Sequence, residues 1–247
     1  MKAIILAGGT GSRLFPLTKV TNKHLLPVGM YPMVFHPVAK LKQAGLTDIL
    51  VVTGKDHMGD VVNLLGSGKD FGVTFTYKVQ DEAGGIAQAL SLAKEFVGQD
   101  QVVVILGDNV FSNDISTYVD NFRKQRQGAK ILIQEVADPT RFGVPELDDN
   151  QILSIEEKPL QPKSSYAVTG IYMFDHHVFD IIHTLKPSAR GELEITDVNN
   201  AYIKRGELTF DILPGWWSDA GTHASLARAN ELAKDIVFGE EFGKLKL

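Results

Sequence analysis

Cysteine is absent from all 247 residues. That excludes a disulfide framework, a Cys-type zinc site, an iron–sulfur cluster and a thiol nucleophile. A chain free of disulfides fits a reducing interior, so a cytoplasmic location is expected. Long hydrophobic runs are missing as well. The opening run Ala3–Ala7 ends at glycines, short of a signal-peptide core, and nothing later approaches the ~20 apolar residues of a membrane span. The seven histidines show no HExxH spacing, so no zinc site is expected. A global basic field is lacking too. With 25 Lys and Arg against 30 Asp and Glu, the net charge is −5, which argues against nucleic-acid binding. The expected partners are small molecules, with no nucleic acid and no membrane.

The most local absence is the most informative. The first acidic residue is Asp48, while Lys2, Arg13, Lys19, Lys23, Lys40 and Lys42 precede it. A cationic, glycine-rich leading segment on a net-acidic protein suits a small anion held locally, although a solvated face would give the same count.

Hydrophobic period and punctuation read as alternating strands and helices. Lys2–Ala7, Asp48–Thr53, Val73–Val79 and Gln101–Leu106 are short apolar runs of the kind found in strands buried on both faces. Pro32–Ala44, Asp56–Leu65, Gly85–Phe96 and Ile115–Arg126 have helical spacing. Gly45 and Gly66 stand where C-caps belong, and Asn113 or Asp114 precedes the last of these helices. This alternation predicts right-handed βαβ units and a parallel sheet. Beyond residue 128, Lys130–Val136, Phe142–Leu147, Gln151–Glu156 and Ala167–Phe174 read as strands with few helices between them. His177–Thr184, Glu194–Lys204 and Thr222–Phe238 return to helix. No repeat or Pro/Ser-rich linker interrupts the chain. The expectation is one α/β domain over 1–247, a three-layer sandwich with a mostly parallel, mixed central sheet.

The first strand runs into Leu6-Ala-Gly-Gly-Thr-Gly-Ser-Arg-Leu14. Glycines there let backbone N–H groups close on an anion. The spacing is not that of a P-loop, because no Lys follows Gly11. Nor is it a dinucleotide fingerprint, because Leu14 fills the third glycine slot. Arg13 adds a planar guanidinium that suits phosphate. Lys23 follows in Lys-His-Leu-Leu-Pro27, and reads equally as a surface lysine. Asp108 follows the strand Gln101–Leu106, at the end of a central strand where α/β folds bind ligands. Its carboxylate suits Mg²⁺, which takes one or two carboxylates plus phosphate oxygens, or it caps the next turn. Asp219 is a second isolated carboxylate. In Glu156-Glu157-Lys158-Pro159, an acid for sugar hydroxyls and a cation for phosphate stand side by side, unless both belong to a solvated edge.

Seven segments in this order, LAGGTGSRLFPLT, KHLLP, LGDN, RFGV, EEKPLQPKSSYAVTGIY, LKPSARGELEITDVN and WSDAGTH, resemble the sugar-nucleotide pyrophosphorylases, and within them the short form of the thymidylyltransferase branch. The likeness runs from about Lys2 to about Leu232. It implies the fold of nucleotide-diphospho-sugar transferases and transfer of dTMP from dTTP to α-D-glucose 1-phosphate, with Mg²⁺, on the route to dTDP-rhamnose and related deoxysugars. A uridylyltransferase is the nearest alternative.

Residue by residue, the resemblance implies that Leu6, Gly8, Gly9, Thr10, Gly11 and Arg13 wrap the nucleotide, with Arg13, Lys23 and Lys158 as the catalytic cations. Gln80 and Gly85 match the positions that meet the pyrimidine, and Asp108 and Asp219 the magnesium ligands. Asn109, Gly143, Glu157, Lys158 and Val168 match the sugar-phosphate subsite. A homotetramer is the implied assembly. Two departures stand out: His24 occupies a position where the branch commonly has Gln, and Val28-Gly-Met-Tyr-Pro32 lacks the usual Asp-Lys.

Overall fold

The computed structural model describes residues 1–243. In chain order the elements are β1 (Lys2–Ala7), β2 (Pro27–Val28), β3 (Tyr31–Pro32), α1 (Phe35–Gln43), β4 (Asp48–Gly54), α2 (Met58–Leu65) and β5 (Thr74–Gln80). Then come α3 (Ile86–Ser91), α4 (Lys94–Val97), β6 (Val102–Leu106), β7 (Asn109–Phe111), α5 (Ser116–Gln125), β8 (Ala129–Glu135), β9 (Gly143–Asp148) and β10 (Gln151–Glu157). The chain continues with β11 (Tyr166–Phe174), α6 (Val178–Thr184), α7 (Ile195–Lys204), β12 (Leu208–Ile212), β13 (Trp217–Asp219), α8 (His223–Ala233) and α9 (Glu240–Gly243).

Seven strands form the central sheet in the order β12-β8-β11-β6-β1-β4-β5. The sheet is mixed and mostly parallel, as the sequence leads one to expect. β1 pairs parallel with β4, β4 with β5 and β12 with β8, while β11 runs antiparallel to β8. No helix among the described residues is long and apolar enough to cross a membrane.

The chain folds as two compact units. One holds Lys2–Ala83, Val104–Thr117 and the segment from Gly215 onward. Its strands β1 and β4 are almost wholly buried, because their Ile, Leu and Val side chains have no solvent face. A second apolar cluster joins Leu14, Val28, Met33, Val110 and Ala220 to Leu226, Ala229 and Ala233 of α8. Thr222 caps α8 in a reciprocal capping box with Ser225.

The other unit holds Gly84–Val103 and Tyr118–Pro214. Here β9 and β10 make an antiparallel pair, and β8 is flanked by β11 and β12. The helix expected over Gly85–Phe96 is two shorter ones, because it breaks at Leu92–Ala93. The helix expected to run to Phe238 stops at Ala233. Asp114 Oδ1 accepts from Ser116 N at 2.8 Å, which makes it the residue that starts α5.

Leu14 is fully buried in the second cluster and sits one residue from Arg13. Leu14→Ala should lower unfolding free energy by about 2–5 kcal/mol in urea titrations, the range for a Leu deleted from a packed core.

Candidate active site

β1 ends at Ala7 and the chain turns at once through Gly8–Gly11. Gly11 adopts φ +67°, ψ +18°, a left-handed conformation that favours glycine. A Cβ there would also fall 2.8 Å from Thr18 Cγ2. Thr18 Oγ1 donates to Gly11 O at 2.9 Å and ties the turn down. Gly8 has a different constraint: its Cβ would collide with Gln80 Oε1, the last residue of β5. A cavity of about 290 Å³ opens here, lined by Gly8, Gly9, Thr10 and Gln80 among others. Leu6, buried within β1, underlies the turn.

Beside the turn lies a buried ion pair. Lys23 Nζ donates to Asp108 Oδ2 at 2.6 Å, with the two side chains 11% and 12% exposed. Asn109 Nδ2 donates to Asp108 Oδ1 at 3.0 Å, and Asn109 Oδ1 accepts from Trp217 Nε1 at 2.5 Å. The side chain of Asn109, expected among the sugar-phosphate residues, is thus placed as the bracket between Asp108 and β13. Burial opposes ionisation of Asp108. The Lys23 ammonium outweighs it, with hydrogen bonds from Lys23 and Asn109, and holds this carboxyl well below the usual range.

β13 pairs antiparallel with β7, and Asp219 lies opposite Asn109. Ala220 N donates to Asp108 O at 2.8 Å. This short ladder brings together two aspartates far apart in sequence. Around the point where a Cβ of Gly221 would sit, Arg13 Nη2 lies at 3.3 Å, Asp108 Oδ2 at 3.4 Å and Asp219 Oδ2 at 3.7 Å. Two carboxylate oxygens and a guanidinium nitrogen therefore lie close around Gly221, with Asp108 Oδ2 also held by Lys23. Two hard oxygen donors fit a magnesium ion that completes its shell with water and phosphate oxygens. A cage of three or more acidic or histidine ligands is not found among the described residues.

His24 is 1% exposed. Its Nδ1 lies 2.7 Å from Asn22 Oδ1. Gly107 packs on its ring, since a Cβ at Gly107 would fall 2.7 Å from His24 Cδ2. Burial, helped by the neighbouring Lys23 charge, pushes the imidazole down to about 3, so it is neutral at pH 7. His36 is likewise buried and pushed down to about 4.

In the other unit, Glu157 ends β10. Its Oε2 accepts from Thr196 Oγ1 at 2.6 Å, while Lys158 Nζ and Arg190 Nη2 each lie 3.5 Å from Oε1. Arg190 makes a forked contact to Glu194, with Nη2 to Oε2 at 2.7 Å and Nε to Oε1 at 3.2 Å. Lys158 itself has φ +50°, unusual for a non-glycine residue. Gly143 stands opposite in the β9–β10 ladder, where a Cβ would fall 3.3 Å from Thr196 Oγ1 and 3.5 Å from Glu157 Oε2. Val168 is a buried β11 residue. Gly85 precedes α3 at φ +95°, where a side chain would meet the Leu193 carbonyl. Arg190 and Thr196 were not singled out from sequence. The signal was present in ARGELEIT, where an arginine four residues before a glutamate on a helix start suggests a fixed pair.

A glycine turn at the end of a parallel strand, with a guanidinium and two carboxylates close by, has the chemistry to receive an anionic ligand. The chain belongs to the nucleotidyl transferase family, whose model matches residues 2–235. It is 45% identical over 240 residues to a glucose-1-phosphate thymidylyltransferase of Neisseria meningitidis, covering 96% of this chain and 83% of that protein. It is 42% identical to the low-salt glycan biosynthesis nucleotidyltransferase Agl11 of Haloferax volcanii, covering 94% and 66%. Among solved structures, it matches a provisionally named glucose-1-phosphate thymidylyltransferase from Bacillus anthracis, crystallised with sucrose. The TM-score is 0.95 and the identity 67%, over 98% of this chain and 99% of that one. A UDP-glucose pyrophosphorylase bound to UDP-glucose matches at TM-score 0.82 and 25% identity, over 93% and 97%.

Two outcomes follow from this geometry. Gly221 carries no positive-φ requirement, so Gly221→Ala should fold normally, yet place a methyl among Arg13, Asp108 and Asp219. Turnover should fall at least about tenfold, with the urea midpoint little changed. The histidines set a pH dependence. His24 and His36 stay neutral in the folded state but take up protons below about 6.5 when unfolded. Stability is therefore full above pH 6.5 and falls as pH drops toward 4. Thermal melts of His24→Gln across pH 4–7 should show a shallower slope than wild type, and His24→Gln with His36→Gln a shallower one still.

Proposed function

We propose that this chain transfers dTMP from dTTP to α-D-glucose 1-phosphate, forming dTDP-glucose and pyrophosphate. The observation that carries the reading is the convergence of Arg13, Asp108 and Asp219 on the backbone at Gly221. The thymidine and glucose assignments draw on relatives of that name at 41–45% identity over most of the chain.

The sugar-phosphate oxygen is already anionic at neutral pH, so the chain needs no general base to generate its nucleophile. That oxygen attacks the α-phosphorus, a new P–O bond forms, and the bond to the β-phosphate breaks as pyrophosphate leaves. The task of the protein is to hold two polyanions together and aligned. Backbone N–H groups of Gly8–Gly11 approach the nucleotide phosphates. Arg13 meets negative charge growing toward the leaving pyrophosphate, and Lys23 neutralises the α-phosphate. Glu157, fixed by Thr196, accepts from sugar hydroxyls, and Lys158 binds the sugar phosphate. Asp108 and Asp219 would hold a magnesium ion, which when bound supplies further neutralisation of the phosphates.

A pyrophosphate-release assay crossing several nucleoside triphosphates with a panel of sugar 1-phosphates tests the reading directly. The expected best pair is dTTP with glucose 1-phosphate. UTP is the main competitor, since one methyl is worth about 1–3 kcal/mol in a pocket. Turnover that survives excess chelator would overturn the cation assignment. Arg13→Ala should lower mainly kcat, and Lys158→Ala should raise mainly KM for sugar 1-phosphate. Equal KM-only defects would contradict this division.

A further inference from the structure

One wall of the cavity beside the glycine turn is made by Lys55–His57, between β4 and α2, and takes no part in phosphoryl transfer as proposed. His57 there has φ +61°, ψ +17°, a left-handed conformation disfavoured for any residue with a Cβ. It precedes α2, where extended backbone and a Ser, Thr, Asp or Asn cap are usual, yet its side chain makes no capping bond. Glycine would adopt this backbone with less strain. What the histidine gives the helix is a contact with Asp60 in its first turn, not a cap.

The ring is nevertheless fixed. Its Nδ1 pairs with Asp60 Oδ2 at 3.2 Å, and the half-buried imidazole lines the cavity with Gly8, Gly9, Gln80 and Asp81. Nε2, the far nitrogen, has no hydrogen bond among the described residues. The register locates the ring further. Gly54 pairs with Gln80 across β4 and β5, and a Cβ on Gly8 would touch both residues. His57 follows Gly54 by three residues and lines the cavity that Gln80 also lines. Lys23 and Asp108 do not line this cavity, while the turn residues Gly8, Gly9 and Thr10 do. A strained backbone, a ring paired to Asp60 and a nitrogen without a hydrogen bond among the described residues then coincide in the cavity that Gly8 and Gln80 also line.

We propose that His57 is a specificity-determining residue that hydrogen-bonds the nucleoside part of the triphosphate through Nε2, with Asp60 as the residue that positions the ring. This rests on the nucleotide-binding reading above and extends it to a side chain outside the glycine turn.

The test is calorimetric titration of wild type and His57→Gly with dTTP and, separately, with inorganic tripolyphosphate, both in excess magnesium. Losing one hydrogen bond should weaken dTTP binding about three- to tenfold and leave tripolyphosphate binding unchanged. The melting temperature of His57→Gly should equal or exceed that of wild type, because glycine relieves the left-handed strain. Asp60→Asn should weaken dTTP in the same direction by a smaller factor. Unchanged dTTP affinity in His57→Gly, or equal weakening of both ligands, would overturn the proposal. A wild type that binds another nucleoside triphosphate in place of dTTP would count against the thymidylyl reading alone, and the same comparison would then be made with that nucleotide.

Discussion

The structure around the site depends on one buried ion pair. Lys23 and Asp108 meet at 2.6 Å across 85 residues of sequence, and neither charge could stay in this position alone. An unpartnered buried charge typically costs about 3–5 kcal/mol when its mate is removed. The pair has further support: Asp108 also accepts from Asn109, whose amide is braced by Trp217. That brace belongs to the β7–β13 ladder, which sets Asp219 opposite Asn109. Fixing the ion pair thus fixes the second carboxylate beside Gly221.

The same arrangement accounts for the distribution of charge along the chain. The acid-free first 47 residues supply Arg13 and Lys23 to the place where Asp108 and Asp219 meet. An additional acid in that segment would compete with phosphate for the same cations. The burial of a neutral His24 fits this logic, because a second full positive charge next to Lys23 would have to be desolvated as well. The glycines share the work differently. Gly11 is required by its backbone angles and Gly8 by the approach of Gln80, while Gly221 lets two carboxylates and a guanidinium come close to the backbone.

Much of this was legible in the sequence, for local reasons. Lys2–Ala7 is a strand in both readings, because a run of small and branched apolar residues ending at two glycines admits little else. The mixed sheet followed from the change of rhythm after residue 128. What escaped was non-local or short. β12 is half exposed and lacks a buried apolar run, so its pairing with β8 left no period to detect. The three-residue partners β7 and β13 lie about a hundred positions apart, and only the fold shows that Asp108 and Asp219 face one point. Arg190 and Thr196 were hidden for the same reason: their partner Glu157 lies on a different element.

Crystals grown with manganese in place of magnesium, together with dTTP, would test the central claim through the anomalous scattering of the metal. The account predicts a peak bonded to both Asp108 and Asp219 beside Gly221. A nucleotide bound against Gly8–Gly11 with its manganese held by neither aspartate would contradict it.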